Sequence, residues 1–412
     1  MIFESSPFDR KGRFNSVHNR IGHLKQLTDI SIDVYCLHIR DNFITRRFRG
    51  TKKVPKHKSV VIDGIEYRMM WRRFSLSDRF RKMFGRQPEV LLEYVSDVAG
   101  NFGDYDLVLA HSYEGGLLAR EVSRRFAVPY MVTWHGSDVH THPLRDSIRL
   151  RLTRQIMEGA EMNFFVSKAL MADSDKLTEN APKDVLYNGV SDMFSALEPE
   201  QRNAIRRKYS VSDNERVVAY VGNFYPVKNV TVLPELFSRI YEGFESHIAE
   251  ERDDDAPHLK FWLVGDGKLR PDVEHHMKRL SGTEAVFWGN VSSEEMPEMM
   301  NCIDLLVIPS CNEGLPLVAM EALKSGAEVI GSHVGGIPEV IGNKFTVPFR
   351  INVDGSHDYS DSSYISGMAR LAVRQLLHPS GQTLDPVFDW RITAERELRA
   401  VETVLGREKQ KN

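Results

Sequence analysis

Two carboxylates eight residues apart, Glu313 and Glu321, are the chemically most suggestive residues of the chain. They lie in the stretch 305–341, LLVIPSCNEGLPLVAMEALKSGAEVIGSHVGGIPEVI. Paired vicinal hydroxyls of a sugar or a ribose suit a carboxylate acceptor, and the free N–H groups at a helix start suit a phosphate. The same spacing also fits a solvated loop acid followed by an ordinary surface helix residue.

The elements that must position these acids can be read around them. An apolar run at 303–308, a loop ending in Gly314-Leu315-Pro316, helix-forming residues over 317–326 and a second apolar run at 328–330 predict a βαβ unit. Pro316 suits the first helical turn and Gly326 the position just past the last. Glu313 then falls at the carboxyl end of a strand, where open parallel sheets bind ligands. Glu321 falls in a helix among the apolar Val318, Ala319, Met320, Ala322 and Leu323, where a carboxylate needs a partner.

Further groups sit at similar places. His135 follows an apolar strand (129–133) and precedes Gly136, although a lone histidine there also reads as a structural residue. The N–H groups of Gly222, Asn223 and Phe224 and the ammonium of Lys228 follow the strand beginning at Arg216, well placed for a diphosphate. An exposed lysine with no role fits the same pattern. Gly265-Asp266-Gly267 allows either close backbone approach or a plain tight turn. There is no Gly-x4-Gly-Lys-Ser/Thr and no strand-linked Gly-x-Gly-x-x-Gly, which counts against P-loop and dinucleotide chemistry.

A chain of 412 residues is too long for one ordinary core, and β–α alternation recurs in two blocks. We expect an α/β protein with two doubly wound Rossmann-like domains facing across a cleft: 1–190, then a linker at 191–215 with a short helix, then 216–378. A final segment, 379–412, ends in an amphipathic helix over 392–405 that packs back on the first domain. Helices are expected at 75–98, 115–126, 147–158, 230–240 and 364–377, with an exposed charged loop at 242–257. Only residues 1–3 are left for the first strand, which suggests a start a few residues short.

No run of about 18 apolar residues and no export leader is evident, so a cytoplasmic location is expected. Cys36, Cys302 and Cys311 are too scattered for a disulfide framework or a metal cluster. Net charge is −3, yet residues 1–190 carry 30 Lys/Arg against 23 Asp/Glu. The excess sits in residues 40–86, with 15 basic against four acidic residues, interleaved with Phe43, Phe48, Met69, Met70, Trp71, Phe74, Phe80 and Phe84. That mixture suits an anionic membrane surface, or is a solvated basic face; no nucleic-acid-binding signature accompanies it.

Taken together, the motifs resemble a known family. His111, Trp134-His135-Gly136-Ser137-Asp138, Asn188-Gly189-Val190, Val221-Gly222-x4-Val227-Lys228-Asn229, Val264-Gly265-Asp266-Gly267, Glu313-Gly314-Leu315-Pro316-x4-Glu321-Ala322 and Gly335-Gly336-x-Pro338-Glu339 occur in the order found in the retaining GT-B glycosyltransferases of family 4. The resemblance is strong from about residue 106 to 341, extends to Phe388-x-Trp390 and the last helix, and is faint in residues 1–100.

It implies that Glu313 binds donor-sugar hydroxyls beside the N–H groups of Gly314 and Leu315, with Val318 also at the donor. Glu321 would bind the ribose, Lys228 would neutralise the leaving diphosphate and His135 would touch the donor sugar. Gly12, Gly222, Asn223, Gly265 and Gly267 would border the nucleotide sugar. The implied activity is metal-independent transfer from a nucleotide sugar, most often UDP-linked, to a lipid-linked or polymeric surface glycan at the inner membrane face. The donor is a substrate; no cofactor is implied. A sugar-nucleotide epimerase and a binding scaffold without turnover are the rival readings. The family commonly has Arg where this chain has Asn223, so that either Arg13 or Lys268 substitutes or activity is low.

Overall fold

The computed structural model describes residues 1–4, 12–40, 58–73, 80, 83, 95–96, 98–251, 257–279, 284–352 and 357–409. Most of the basic segment expected at a membrane, and most of the helix expected at 75–98, lie outside the described residues.

The chain forms two compact units, 1–189 with 389–412, and 190–388. In the first, β1 (Ile2–Glu4), α1 (Gly12–Leu27), β2 (Val34–Arg40), β3 (Ser59–Ile62) and β4 (Ile65–Arg73) precede β5 (Val108–His111) and α2 (Ser112–Phe126). Then come β6 (Tyr130–Trp134), α3 (Ser147–Gly159), β7 (Met162–Phe165) and β8 (Lys183–Val185). They make one sheet of order β3-β4-β2-β1-β5-β6-β7-β8, parallel except for the β3–β4 hairpin. β6 is buried along its whole length because helices cover both faces, which is why its sequence, YMVTW, shows no alternation.

The second unit runs α4 (Pro199–Lys208), β9 (Glu215–Val221), α5 (Leu233–Glu251), β10 (His258–Val264), α6 (Arg270–Met277), β11 (Glu284–Gly289), α7 (Met296–Cys302) and β12 (Leu305–Ile308). It continues with α8 (Leu317–Lys324), β13 (Glu328–Ser332), β14 (Thr346–Val347) and α9 (Ser362–Leu377). The sheet order is β11-β10-β9-β12-β13-β14, all parallel. The strand order reverses between β9 and β12. The carboxyl ends of those two strands are therefore the natural ligand crevice of this unit, and they carry the loops of Lys228 and Glu313.

Three expectations are corrected. The charged stretch after residue 242 is not a loop as far as residue 251, because α5 continues through it. Phe237, Ile240 and Phe244 are buried on its inner face and Tyr241 and Ile248 pack beside them, while the charges point outward. The stretch 191–215 lies within the second unit rather than between two. There the Arg206 guanidinium of α4, 2% exposed, donates to Asp304 Oδ2 at 3.0 Å and to the Cys302 carbonyl at 2.9 Å.

The last helix, α10 (Trp390–Lys409), belongs to the first unit, where Ala394, Val401 and Val404 are buried. Its Glu397 pairs with Arg20 of α1 at 3.5 Å, and Arg20 also donates to Thr133 Oγ1 at 2.8 Å. Residues 379–388, expected with this segment, fall in the second unit instead.

Candidate active site

In the second unit the site is built by loops that stack backbone on backbone. After β9 ends, the Gly222 N–H donates to the Val264 carbonyl at 2.9 Å, extending the strand pairing by one residue. Gly265 has φ +119°, and a Cβ there would stand 2.0 Å from the Gly222 carbonyl oxygen, so conformation and space both demand glycine. Phe224 N–H donates to the Asp266 carbonyl and Leu269 N–H to the Phe224 carbonyl, each at 3.0 Å, which seats Gly267 against Phe224. Tyr220, buried beneath, donates its hydroxyl to the Asn223 carbonyl at 2.8 Å, and burial pushes its phenol far above its ordinary value. The Asn223 side chain is left exposed.

Lys228 closes a 3-10 turn (Pro226–Lys228) followed by Asn229 in the left-handed conformation at φ 52°. The Cys311 N–H donates to the Val227 carbonyl at 2.8 Å and ties this turn to the loop after β12. Across that tie the Lys228 ammonium binds Glu313 Oε1, and Ser310 Oγ donates to the same oxygen at 2.8 Å. With Oε1 doubly engaged, Glu313 Oε2 has no hydrogen-bond partner among the described residues. The Glu313 backbone is held as firmly. Gly336 N–H donates to its carbonyl at 3.1 Å, and Gly335, at φ +50°, passes so close that a Cβ would lie 1.9 Å from that oxygen.

The N–H groups of Gly314, Leu315 and Val318 make no hydrogen bond among the described residues, so the entry to α8 presents a row of donors facing an anion's requirements. One turn on, Glu321 is partly buried among Ala319, Met320, Ala322 and Leu323, which are buried. It has no partner among the described residues, and burial pushes its carboxyl up to about 7. Lys268, proposed to stand in for the cation absent at Asn223, is exposed and likewise unpaired among the described residues. The side chain of Arg13, the other stand-in, lies outside the described residues.

In the first unit, His135 leaves the carboxyl end of β6. Its Nε2 shares a hydrogen bond with His111 Nδ1 at 3.1 Å, the two rings stacked 5.4 Å apart. Buried Asp138 fixes the turn by accepting from Gly136 N–H at 2.8 Å and His135 N–H at 3.3 Å. The parallel register sets His111 opposite Thr133, one residue short of β6's end, which brings the two imidazoles together. Gly12 opens α1, exposed and with open space around it. The loop before it, residues 5–11, lies outside the described residues.

Lys228, Glu313, Gly314, Leu315, Val318, Glu321, Gly222, Asn223, Gly265 and Gly267 thus converge on one end of the second sheet. Sequence reasoning missed Ser310 and the Cys311 N–H as parts that aim Glu313, and singled out Gly335 within a motif without this role. A short hydroxyl three residues before an acid was a local signal for the first.

Comparison with known proteins agrees with this picture. Residues 201–357 match the model for glycosyl transferases group 1, and residues 44–189 that for a glycosyl transferase 4-like domain. The putative teichuronic acid biosynthesis glycosyltransferase TuaC of Bacillus subtilis (strain 168) is 28% identical over 238 residues, 58% of this chain and 55% of the relative. The UDP-Gal:alpha-D-GlcNAc-diphosphoundecaprenol alpha-1,3-galactosyltransferase of Escherichia coli is 27% identical over 258 residues, 58% of this chain and 61% of that enzyme. The matched part is thus little more than half the length of these relatives.

Among solved structures, sucrose-phosphate synthase from Thermosynechococcus elongatus aligns with a TM-score of 0.66 at 16% identity, covering 98% of each chain. Anabaena HepE, in complex with UDP and glucose, aligns with a TM-score of 0.62 at 14% identity, covering 100% of this chain and 98% of that one. These likenesses are of fold. Two parallel-sheet α/β units with this crevice define a GT-B protein. Together with the two family matches they show that the chain belongs to the group 1 glycosyltransferases of GT-B type.

Proposed function

We propose that the protein is a retaining, metal-independent glycosyltransferase that moves a hexose or N-acetylhexosamine from a UDP-sugar to a lipid-linked or polymeric cell-surface glycan. The observation that carries this reading is the Lys228–Glu313–Ser310 arrangement at the strand-order switch of the second unit, beside a row of unpaired N–H groups. Glu313 Oε2 accepts donor-sugar hydroxyls, Glu321 accepts the ribose hydroxyls, and the N–H groups of Gly314, Leu315 and Val318 with the Lys228 ammonium bind the diphosphate. As the bond from C1 to the phosphate oxygen breaks, the acceptor oxygen bonds to C1 on the same face and its proton passes to the departing phosphate. Fixed donors aimed at that developing charge lower the barrier without reorganisation. His135, which shares a hydrogen bond with His111, is a further catalytic residue in this reading.

UDP is favoured because HepE is described with UDP and glucose, and a lipid-linked glycan because the E. coli relative is named for a diphosphoundecaprenol acceptor. In the same reading residues 1–190 bind the acceptor, residues 216–378 the donor, and the basic residues 40–86 rest on the inner face of the plasma membrane. No described helix is long and apolar enough to cross a membrane. Asn223, exposed where the family commonly has Arg, favours a second reading as a scaffold of low turnover; an epimerase on the same fold is the third. Incubation with UDP-, GDP- and ADP-sugars, with and without a membrane lipid extract, separates them. Acceptor-dependent UDP release unaffected by EDTA supports transfer. Strict Mn²⁺ dependence contradicts the metal-independent mechanism, acceptor-free release of an epimerised sugar nucleotide shows the epimerase, and no turnover with any donor favours the scaffold.

A further inference from the structure

At the opposite end of the same sheet, around the amino ends of β9, β12 and β13, the second unit holds a cavity of about 480 Å³. Arg216 is the second residue of β9, Asp304 precedes β12 and Glu328 opens β13. Seven residues of β9 separate this end from Gly222, roughly 20 Å of strand, so the cavity is distinct from the donor site. Gln375, in the last turns of α9, and Ser325, just past α8, complete its wall.

The acids lining the cavity are already satisfied. Asp304 accepts from Arg202 Nη2 at 2.8 Å through Oδ1, and from Arg206 Nη1 at 3.0 Å and Val217 N at 2.7 Å through Oδ2. Glu328 accepts from Gly381 N at 2.7 Å and Gln382 N at 3.3 Å through Oε1, and from Ser380 Oγ at 2.8 Å through Oε2. Three other groups are not satisfied. Arg216 makes only a 3.4 Å contact to the carbonyl of its neighbour Glu215 and pairs with no acid among the described residues. Gln375 is 4% exposed and Ser325 3%, yet Gln375 Oε1 and Ser325 Oγ have no hydrogen-bond partner among the described residues. Buried polar groups are nearly always satisfied, so a cationic fork, a carboxamide and a hydroxyl around one cavity call for a partner from outside the chain.

We propose that this cavity binds a small hydroxylated anion of the sugar-monophosphate class. A phosphate matches the planar fork of Arg216, which a neutral sugar would leave uncompensated. Hydroxyls of the same molecule donate to Gln375 Oε1 and exchange hydrogen bonds with Ser325 Oγ, which inorganic phosphate alone would not reach at the same time. The volume lies in the range of small-molecule sites. The Ser325 N–H donates to the Glu321 carbonyl at 3.1 Å, so the occupant would sit at the end of the helix that carries the donor-site acid.

The test is calorimetric titration of the full chain with glucose 6-phosphate, glucose and inorganic phosphate, using wild type, Arg216→Gln, Gln375→Leu, Ser325→Ala and Lys228→Ala. Glucose 6-phosphate should bind wild type and Lys228→Ala alike, and about tenfold or more weakly to Arg216→Gln and Gln375→Leu. Glucose and phosphate should each bind at least about tenfold more weakly than the phosphorylated sugar. Ser325→Ala, the smallest change, keeps the test decisive if a larger variant does not fold. The proposal is overturned by no binding to wild type up to about 10 mM, by equal affinity in the cavity variants, by equal binding of glucose, or by loss only in Lys228→Ala, which would place the ligand in the donor site.

Discussion

Glu321→Gln should make the free protein more stable above neutral pH while weakening its grip on UDP. The Glu321 carboxyl is partly buried beside apolar neighbours, and desolvation raises it from 4.5 to about 7. A carboxyl whose folded value is raised holds its proton in the folded state where the unfolded chain has released it. Its contribution is therefore fully present below pH 4.5 and is lost as pH rises through 7. The difference of about 2.5 units corresponds to about 3 kcal/mol at most, and residual exposure reduces it to roughly 1–3 kcal/mol. Glutamine has the same shape without the charge, so at pH 8.5 the second unit should melt higher, by about 2–4 °C per kcal/mol. At pH 4, below both values, the two proteins should melt together. UDP binding at pH 8.5 should weaken in the variant by about 1.5–3 kcal/mol, the value of a hydrogen bond to a charged group. Differential scanning fluorimetry at both pH values, with and without UDP, reads all four quantities. A variant that melts no higher than wild type at pH 8.5, or binds UDP equally well there, refutes the reasoning.

Other expectations follow from the same geometry. Lys228→Ala, which removes a partly exposed cation, should leave the melting temperature within about 1 °C and cut the rate of UDP release roughly 10²–10³-fold. If Lys268 supplies the cation that Asn223 does not, Lys268→Ala should slow release about tenfold; in an Asn223→Arg background, itself faster, the same change should have little effect, as a double-mutant cycle of initial rates will show. Gly335→Ala places a Cβ against the Glu313 carbonyl at positive φ and should cost at least about 2 kcal/mol in urea melts together with donor binding. By contrast, Gly406→Ala in open space on α10 should add about 0.5–1 kcal/mol.

The β12–loop–α8 unit was legible because a four-residue apolar strand, a loop punctuated by Pro316 and a helix ended by Gly326 leave one arrangement open. The place of Glu313 and Lys228 at the order switch was legible because each follows a strand there, although their direct pairing was not. What aims them was hidden: the Cys311 N–H to the Val227 carbonyl and the Gly336 N–H to the Glu313 carbonyl are backbone bonds, which side-chain identity does not encode. The continuation of α5 past residue 242 was missed because a run of charges obscured three apolar residues at helical spacing. The place of residues 191–215 was missed because Arg206 is buried by Asp304, a partner about a hundred residues away, and nothing local marks it. The His111–His135 contact depends on strand register, which two isolated histidines leave open.

The central claim, transfer with retention from a donor held by Lys228, Glu313 and Glu321, is tested most directly by the stereochemistry of the sugar released. Time-resolved proton NMR can follow the slow reaction of the preferred nucleotide sugar with water, which needs no knowledge of the natural acceptor. The account predicts that the anomer first released has the configuration of the donor, before mutarotation, and that Glu313→Ala suppresses its formation. First release of the opposite anomer contradicts it.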